Sequence, residues 1–113
     1  MHELSVTQSM VNIVVEEAEK ANANKVINVK VVMGRCTCLV PQIVNDYYEL
    51  MSEGTVAENS KLHIERINGK VKCNDCGEVS EISDFRVVCP KCNSRNTSLI
   101  AGKEFYIDSI EVE

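Results

Sequence analysis

The sequence lacks the features that mark several common classes of protein. It has 12 Lys and Arg against 17 Asp and Glu, and this net charge of −5 disfavours binding to nucleic acid through phosphate contacts. No apolar run approaches the length of a transmembrane helix, and the polar N-terminus lacks the continuous apolar segment of a secretory signal. We therefore expect a cytoplasmic protein that binds neither nucleic acid nor a membrane.

Groups that carry out catalysis are also scarce. The sequence has no Gly-rich nucleotide loop and no Gly-x-Ser-x-Gly nucleophile elbow. It has only 2 histidines, so a catalytic arrangement that needs an imidazole would have to use His2 or His63. His63 lies in a predicted strand between two apolar residues, and we expect it to face solvent or to pack on the sheet. We therefore predict that the protein is not an enzyme.

The 6 cysteines are the most informative residues present, and four of them form two Cys-x-x-Cys pairs. This spacing puts four thiolates within reach of one metal ion, for which tetrahedral Zn²⁺ is the default occupant. The four residues are Cys73, Cys76, Cys89 and Cys92. Such a site leaves no open position for a substrate, so the pattern predicts a structural zinc site. Thiolate ligands without a secretory signal also fit a reducing cytoplasm better than a disulfide framework.

Each cysteine pair is predicted to form a tight turn. Pro90 presets one turn, while Gly77 and Asn93 tolerate the left-handed conformation that directs backbone N–H groups towards the sulfurs. The pattern also leaves two alternatives, a zinc-ribbon interaction module and a rubredoxin-like iron electron carrier. Nucleic-acid binding by the module is disfavoured, because its charges are nearly balanced and Phe85 is its only aromatic residue.

Hydrophobic periodicity predicts the order helix, strand, helix, strand, cysteine module, strand. The helices are expected at residues 4–21 and from Pro41 to a C-terminal cap at Gly54, and the strands at residues 26–33, 62–67 and 104–112. We expect an α+β fold in which two helices cover a three-stranded, mainly antiparallel sheet, with a four-cysteine zinc-ribbon module inserted before the last strand. The expected domains are an α/β domain (residues 1–69 plus 100–113) and a zinc-binding domain (residues 70–99).

Local signals add detail to these elements. The segment Ser-Val-Thr-Gln at residues 5–8 is typical of a capping box at the start of the first helix. The apolar phase of the last strand changes at Asp108 and Ser109, which suggests a bulge. The predicted buried stripe of the first helix comprises Leu4, Met10, Val11, Ile13, Val14, Val15 and Ala18. The predicted stripe of the second comprises Ile43, Val44, Tyr47, Leu50 and Met51.

The first three residues offer a second kind of metal site. The N-terminal amine of Met1, the amide nitrogens that follow and the His2 imidazole can reach a common plane around one cation, which suits Ni²⁺ or Cu²⁺. Glu3 adds a carboxylate for a further position and also suits a helix N-terminus. Ligand type alone leaves open the alternative that His2 is an ordinary solvated residue.

The opening sequence Met-His-Glu-Leu-Ser on an amphipathic helix, together with the paired cysteines, resembles the HypA/HybF family of nickel metallochaperones. The resemblance extends over essentially the whole chain and includes Gly-Thr-Val-Ala-Glu at residues 54–58. It implies that Met1 (amine), His2 (imidazole and amide) and Glu3 bind Ni²⁺ as cargo, which makes residues 1–69 plus 100–113 the nickel-binding domain. It also implies that the four cysteines hold a structural Zn²⁺.

The resemblance further implies the pathway and the partners of the protein. Nickel would be delivered for [NiFe]-hydrogenase maturation, and in some organisms for urease, together with a HypB-type nickel GTPase and the hydrogenase large subunit. We expect a monomer or a weak homodimer.

Four positions depart from the family pattern. Many members carry an acidic residue where this sequence has Arg35, and some carry an aspartate near the nickel where it has Val40. An outer carboxylate ligand is therefore not expected from these positions. Cys36 and Cys38 lie outside the family pattern, and we interpret them first as small hydrophobic residues packed in a loop, with a redox pair or a soft-metal site as the alternative.

Overall fold

The computed structural model describes residues 2–82 and 88–113. Two helices and six strands make up the described part of the chain. They are α1 (Glu3–Lys20), β1 (Val26–Gly34), α2 (Pro41–Ser52), β2 (Lys61–Ile67), β3 (Gly69–Cys73), β4 (Val79–Ile82), β5 (Thr97–Ala101) and β6 (Phe105–Val112). The strands form two three-stranded sheets, with the orders β2-β1-β6 and β4-β3-β5. The predicted α+β fold with two helices, a three-stranded sheet and an inserted cysteine module is confirmed.

The chain divides into two compact units. The first comprises Met1–Val31, Cys38–Glu65 and Tyr106–Glu113, and the second comprises Val32–Thr37 and Arg66–Phe105. Residues 70–99, expected as the zinc-binding domain, all fall within the second unit. Neither described helix has the length and apolar character that crossing a membrane requires.

Helix α1 begins at Glu3, with His2 in the N-cap position and no capping hydrogen bond from the His2 side chain. The predicted capping box is wrong, because Ser5 lies inside the first turn instead of before it. The Ser5 hydroxyl donates to the backbone oxygen of His2 at 3.2 Å, and the backbone N–H of Val6 donates to the same oxygen at 3.0 Å. The helix therefore starts immediately after His2.

The buried face of α1 is only partly the predicted one. Its buried residues are Glu3, Thr7, Met10, Val11, Val14 and Ala18. Leu4 and Ile13 are 56% and 48% exposed, so their predicted burial is wrong. Helical spacing explains the difference: Thr7 shares the face of Met10 and Val14, and this face turns Leu4 outwards. The Thr7 hydroxyl can be buried because it donates to the backbone oxygen of Glu3 at 2.6 Å.

Helix α2 buries a single row of residues four positions apart, Val44, Tyr48 and Ser52. The predicted stripe was centred on the wrong tyrosine, since Tyr47 is half-buried and Leu50 is 63% exposed. Tyr48 is fully buried and its hydroxyl lies 2.6 Å from the Ser60 hydroxyl, so its polar end is paired. Hydrophobic periodicity did not distinguish Tyr47 from Tyr48, because both are large aromatic residues with one polar hydroxyl.

The segment after α2 contains the glycine that was predicted to end the helix. Gly54 has a φ of +76°, a left-handed conformation that costs glycine little, and it follows the last helical residues as predicted. Its backbone N–H donates to the Glu58 carboxylate at 2.6 Å. Ser60 donates its hydroxyl proton to the backbone oxygen of Ala57 at 2.5 Å, so Tyr48 must be the donor in the bond that joins Tyr48 and Ser60.

The central strand of the first sheet is β1. Val29, Val31 and Met33 are fully buried, as the alternating pattern predicted, and Val32 is also buried. Backbone hydrogen bonds pair Gly34 with Glu104 and Lys25 with Glu113, so β1 and β6 run antiparallel. In β6, the half-buried residues Ile107 and Ile110 are separated by exposed Asp108 and Ser109, and the burial phase changes where the sequence predicted it.

The second unit is built on β3, which pairs antiparallel with both β4 and β5. None of the three short strands of this sheet was predicted. Alternate residues of β3 are buried, and Val71 packs with Ile82, Leu99 and Cys36 in the core of the unit. Cys36 is thus a packed hydrophobic residue, as the first interpretation held.

Glycine is required where the chain passes Cys36. A Cβ atom on Gly69 would lie 2.7 Å from the Cys36 sulfur, and one on Gly34 would lie 2.0 Å from the backbone oxygen of Gly102. Both distances are far below van der Waals contact, so side chains at these positions would force the backbones apart.

Candidate metal centres

The four predicted cysteines come together at one end of the second sheet. Cys73 is the last residue of β3, and Cys89 and Cys92 belong to the turn that leads towards β5. The four sulfurs all lie within 4.8 Å of one another, with 3.5 Å between Cys73 and Cys92 and 3.7 Å between Cys76 and Cys89. Tetrahedral zinc with bonds of about 2.3 Å requires sulfurs about 3.8 Å apart. The spacing therefore fits a zinc ion.

Both cysteine turns have the predicted backbone conformation. Gly77 and Asn93 have φ values of +77° and +60°. The N–H of Gly77 donates to the Cys73 backbone oxygen at 3.0 Å, and the N–H of Asn93 donates to that of Cys89 at 2.8 Å. The N–H of Cys76 is directed at the Cys73 sulfur, 3.4 Å away. Each pair is thus held in the tight turn that the sequence predicted.

The electrostatics of the four thiols favour a bound cation. The backbone N–H of Cys76 stabilises the Cys73 thiolate and lowers the pKa of this thiol to about 7. At Cys92 the backbone N–H of Ser94 acts in the same direction, but interaction with the Cys73 thiol and burial outweigh it and raise the pKa to about 12. Four adjacent thiols do not ionise together on their own, and a divalent ion removes this penalty by offsetting their charge.

Among the residues that the structure describes, these four cysteines are the only cluster of three or more metal-ligating side chains. Met1 and Phe85, named in the sequence analysis, lie outside the described residues. Cys38 is exposed and has a φ of +63°, so its interpretation as a packed hydrophobic residue is wrong, whereas Cys36 is buried as interpreted. All six cysteines are free thiols.

The residues at the start of α1 have two different environments. His2 is exposed at the N-cap, whereas Glu3 is only 8% exposed. The Glu3 carboxylate accepts a hydrogen bond from the backbone N–H of Val40, with 3.1 Å between the nitrogen and Oε2. Its own backbone N–H and that of Val40 lower the pKa of this carboxyl below the usual 4.5. Glu3 is therefore ionised at neutral pH.

The backbone of Val40 contacts the Glu3 carboxylate, while Val40 itself is 45% exposed. This hydrogen bond could not be predicted, because its partners are far apart in the chain and nearly every residue type has a backbone N–H. Arg35 is exposed, and its backbone N–H donates to Ile67 at 2.8 Å.

His63 is exposed on β2, as expected, and its Nε2 atom lies 2.8 Å from the side-chain oxygen of Asn28. It borders a cleft of about 530 Å³ in the first unit, which Glu49, Glu53 and Glu58 also line. None of the predicted site residues contributes to this cleft.

A helix pair, a three-stranded sheet and a four-thiolate unit in one short chain define a small metal-binding α+β protein. The family model described as "Hydrogenase/urease nickel incorporation, metallochaperone, hypA" matches residues 1–112. The chain therefore belongs to the HypA family of metallochaperones.

Individual relatives agree with this family over nearly their full lengths. The hydrogenase maturation factor HypA of Caldanaerobacter subterraneus subsp. tengcongensis is 46% identical, with 100% of both chains covered. That of Methanocaldococcus jannaschii is 36% identical, with 100% of this chain and 98% of the relative covered. The solution structure of the Ni metallochaperone HypA from Helicobacter pylori has a TM-score of 0.68 at 28% identity and covers 99% of this chain and 97% of that one.

Proposed function

We propose that this chain binds Ni²⁺ at its N-terminus and delivers it for maturation of [NiFe]-hydrogenase, without catalysing a reaction itself. The observation that carries the proposal is the position of His2, exposed at the N-cap of α1 and one residue before the ionised carboxylate of Glu3. The family match over residues 1–112 supports a nickel cargo. The family description also names urease, which we propose as a second client in organisms that make it.

The proposed nickel ligands are the Met1 amine, the His2 amide and imidazole, and Glu3. The first N–H groups of a helix have no acceptor within it, so an amide there can lose its proton without breaking an intrahelical bond. A carboxylate has about four acceptor positions, so Glu3 can contact a metal ion while it still accepts the N–H of Val40. Nitrogen-rich, near-planar ligand sets suit Ni²⁺.

The same position limits the strength of nickel binding. A helix N-terminus carries partial positive charge and repels a cation, and the Glu3 carboxylate together with deprotonated amides offsets this repulsion. Protons compete for the amide and imidazole nitrogens, so nickel affinity falls as the pH falls. We infer a site that holds nickel loosely enough to transfer it.

We propose that the four cysteines hold Zn²⁺ as a structural ion. The sulfur spacing and the two tight turns support this assignment, and four thiolates fill the coordination of a tetrahedral ion. In this proposal residues 1–69 plus 100–113 form the nickel-binding domain and residues 70–99 form the zinc-binding domain.

The proposed partners are a HypB-type nickel GTPase, as the companion in delivery, and the hydrogenase large subunit, as the acceptor. The HypA relatives are named hydrogenase maturation factors, which supports partners in that pathway. We propose the cytoplasm as the location, because all six cysteines are free and thiolate ligands require a reducing environment.

A nickel titration of zinc-loaded protein tests the proposed site. We expect stoichiometric Ni²⁺ binding that is lost when one residue is added before Met1 or when His2 is changed in His2→Ala, while the zinc content is unchanged. His63→Ala is the matched control, because it removes the other histidine from an exposed position on β2. Wild-type nickel affinity in both N-terminal variants would show that the ligands are elsewhere.

Four thiolates at this spacing also fit iron, which keeps a rubredoxin-like electron carrier as the second candidate. Metal analysis and visible absorption of protein purified without added metal distinguish the two. We expect colourless protein that contains zinc, and red, redox-active protein would support the iron alternative.

A further inference from the structure

Side chains connect the two cysteine turns outside the sulfur cluster. Asp75, between Cys73 and Cys76, accepts a hydrogen bond from the Ser94 hydroxyl through its Oδ2 atom. Its Oδ1 atom accepts a second hydrogen bond from the side-chain amide of Asn96 at 3.3 Å. A single carboxylate of the first turn thus contacts two residues that follow the second turn.

The residues that contact Asp75 are themselves fixed. The Ser94 hydroxyl accepts the backbone N–H of Asn96 at 3.0 Å, and the Ser94 backbone oxygen accepts the N–H of Cys89 at 2.9 Å. Asn74 pairs with Asn96 twice, through the side chains at 3.1 Å and through the backbone at 2.8 Å. The connection therefore extends from the backbone of one cysteine pair to the backbone of the other.

We propose that Asp75, Ser94 and Asn96 form a clamp that positions the two cysteine pairs and slows exchange of the metal ion between them. The ion is held by two separate segments of chain, so it escapes when one pair of sulfurs moves away from the other. Hydrogen bonds between the turns oppose this separation. Asp75 is a positioning residue, because the cluster of potential ligand atoms consists of the four cysteines.

The clamp also affects which metal ion binds at each of the two proposed sites. This step rests on the proposed nickel function. A protein that meets free Ni²⁺ must keep it from soft thiolate ligands, which bind many divalent metals. Thiolates held in fixed turns would favour a tetrahedral ion such as Zn²⁺, and slow exchange of that ion would leave Ni²⁺ to the proposed nitrogen ligands at the N-terminus.

The rate of zinc transfer from full-length protein to an excess of a chromogenic chelator tests the clamp. We expect zinc to leave Asp75→Ala and Ser94→Ala roughly twofold to tenfold faster than wild type, the factor that corresponds to the net loss of one hydrogen bond. The matched control is Glu81→Ala, which removes the same charge from the adjacent strand β4, where the Glu81 carboxylate accepts a hydrogen bond from the Asn68 side chain at 2.6 Å and contacts neither cysteine turn. We expect it to retain the wild-type rate.

Two further variants separate positioning from simple loss of structure. Ser94→Thr keeps a hydroxyl and should restore slow release. The double variant of Asp75→Ala and Ser94→Ala should release zinc more slowly than the product of the two single accelerations predicts, because both variants lose the same hydrogen bond between Ser94 and Asp75. Cobalt-substituted Ser94→Ala should keep the sulfur-to-metal absorption of the wild type, since the ligands are unchanged.

Wild-type release rates in both alanine variants would overturn the clamp, and so would equal acceleration by Glu81→Ala, which would indicate a charge effect. If Asp75→Ala does not hold zinc at all, the comparison of Ser94→Ala with Ser94→Thr decides, because it removes only the hydroxyl. Nickel binding at the N-terminus is measured separately, so failure of the clamp and failure of the proposed nickel site are distinguishable.

Discussion

Glu3 and Val40 join the first turn of α1 to the start of α2 through one hydrogen bond of 3.1 Å. The donor is a backbone N–H, so the bond does not depend on the residue type at position 40. The acceptor is a carboxylate that is also a proposed nickel ligand. One side chain therefore has a contact in the fold and a place in the proposed metal site, and variants of Glu3 must be tested for both.

We predict that the stability of zinc-loaded, nickel-free protein falls less at acid pH in Glu3→Gln than in wild type. The folded-state pKa of Glu3 is lowered, so its contribution is complete above the unfolded-state value near 4.5 and is lost as the pH falls through the folded value. Urea unfolding midpoints across acid pH provide the measurement. Glu19→Gln, at an exposed position on the same helix, should retain the wild-type pH profile, and identical profiles for all three proteins would refute the prediction.

Tyr48→Phe should destabilise the protein by about 1 kcal/mol at neutral pH, the net value of one buried hydrogen bond. Burial raises the pKa of Tyr48 above 10.0, although its bond to Ser60 acts in the opposite direction. The folded state thus disfavours ionisation, and its stability declines as the pH rises above 10.0.

Denaturant unfolding between neutral and alkaline pH should therefore show a smaller alkaline decline for Tyr48→Phe than for wild type. Tyr106→Phe is the control, since Tyr106 is 50% exposed. An unchanged alkaline decline in Tyr48→Phe would show that ionisation of this residue does not oppose folding.

Cys73→Ser should abolish zinc binding and unfold the second unit, because metal binding supplies much of the folding free energy of small thiolate sites. Cys38→Ser should bind zinc like the wild type, since Cys38 is exposed and lies outside the sulfur cluster. Zinc content and amide NMR spectra measure both effects. A folded, zinc-free Cys73→Ser protein would contradict a structural role for the ion.

Gly69→Ala should cost about 1–3 kcal/mol of stability, the usual range for an overpacked core. The added Cβ would meet the Cys36 sulfur at 2.7 Å, so combining it with Cys36→Ala should recover part of the loss. Thermal unfolding of the two single variants and the double variant measures this coupling. Additive losses would show that the sulfur is not the group that excludes a side chain at position 69.

The sequence was most informative where a residue type has one physical use. Gly77 and Asn93 were predicted to be left-handed, and they are, because few other residues tolerate that conformation. The clustering of the cysteine pairs was predicted equally well, since the spacing of such pairs is set by the geometry of a metal ion.

Prediction failed where the outcome depends on a neighbour distant in sequence. Leu4 and Leu50 are apolar at helical spacing, yet they are exposed because the packing partners of α1 and α2 select other faces. Strands β3, β4 and β5 are short and half-polar, so they produce little periodic signal. The contacts of Asp75 with Ser94 and Asn96 were not predicted either, because the identity of a polar residue does not show which distant residue it will bond.

The position of Cys36 also affects whether the four-cysteine unit of this protein can be transferred to another protein. The core of that unit contains Cys36, Val71, Ile82 and Leu99, and Cys36 comes from the separate segment Val32–Thr37. A fragment that comprises residues 66–105 contains all four clustered cysteines but lacks Cys36, one of the residues of its own core. Recombination at a single pair of breakpoints therefore moves the four cysteines without the Cys36 side chain that completes the core of the unit, and a graft onto another scaffold must bring both segments.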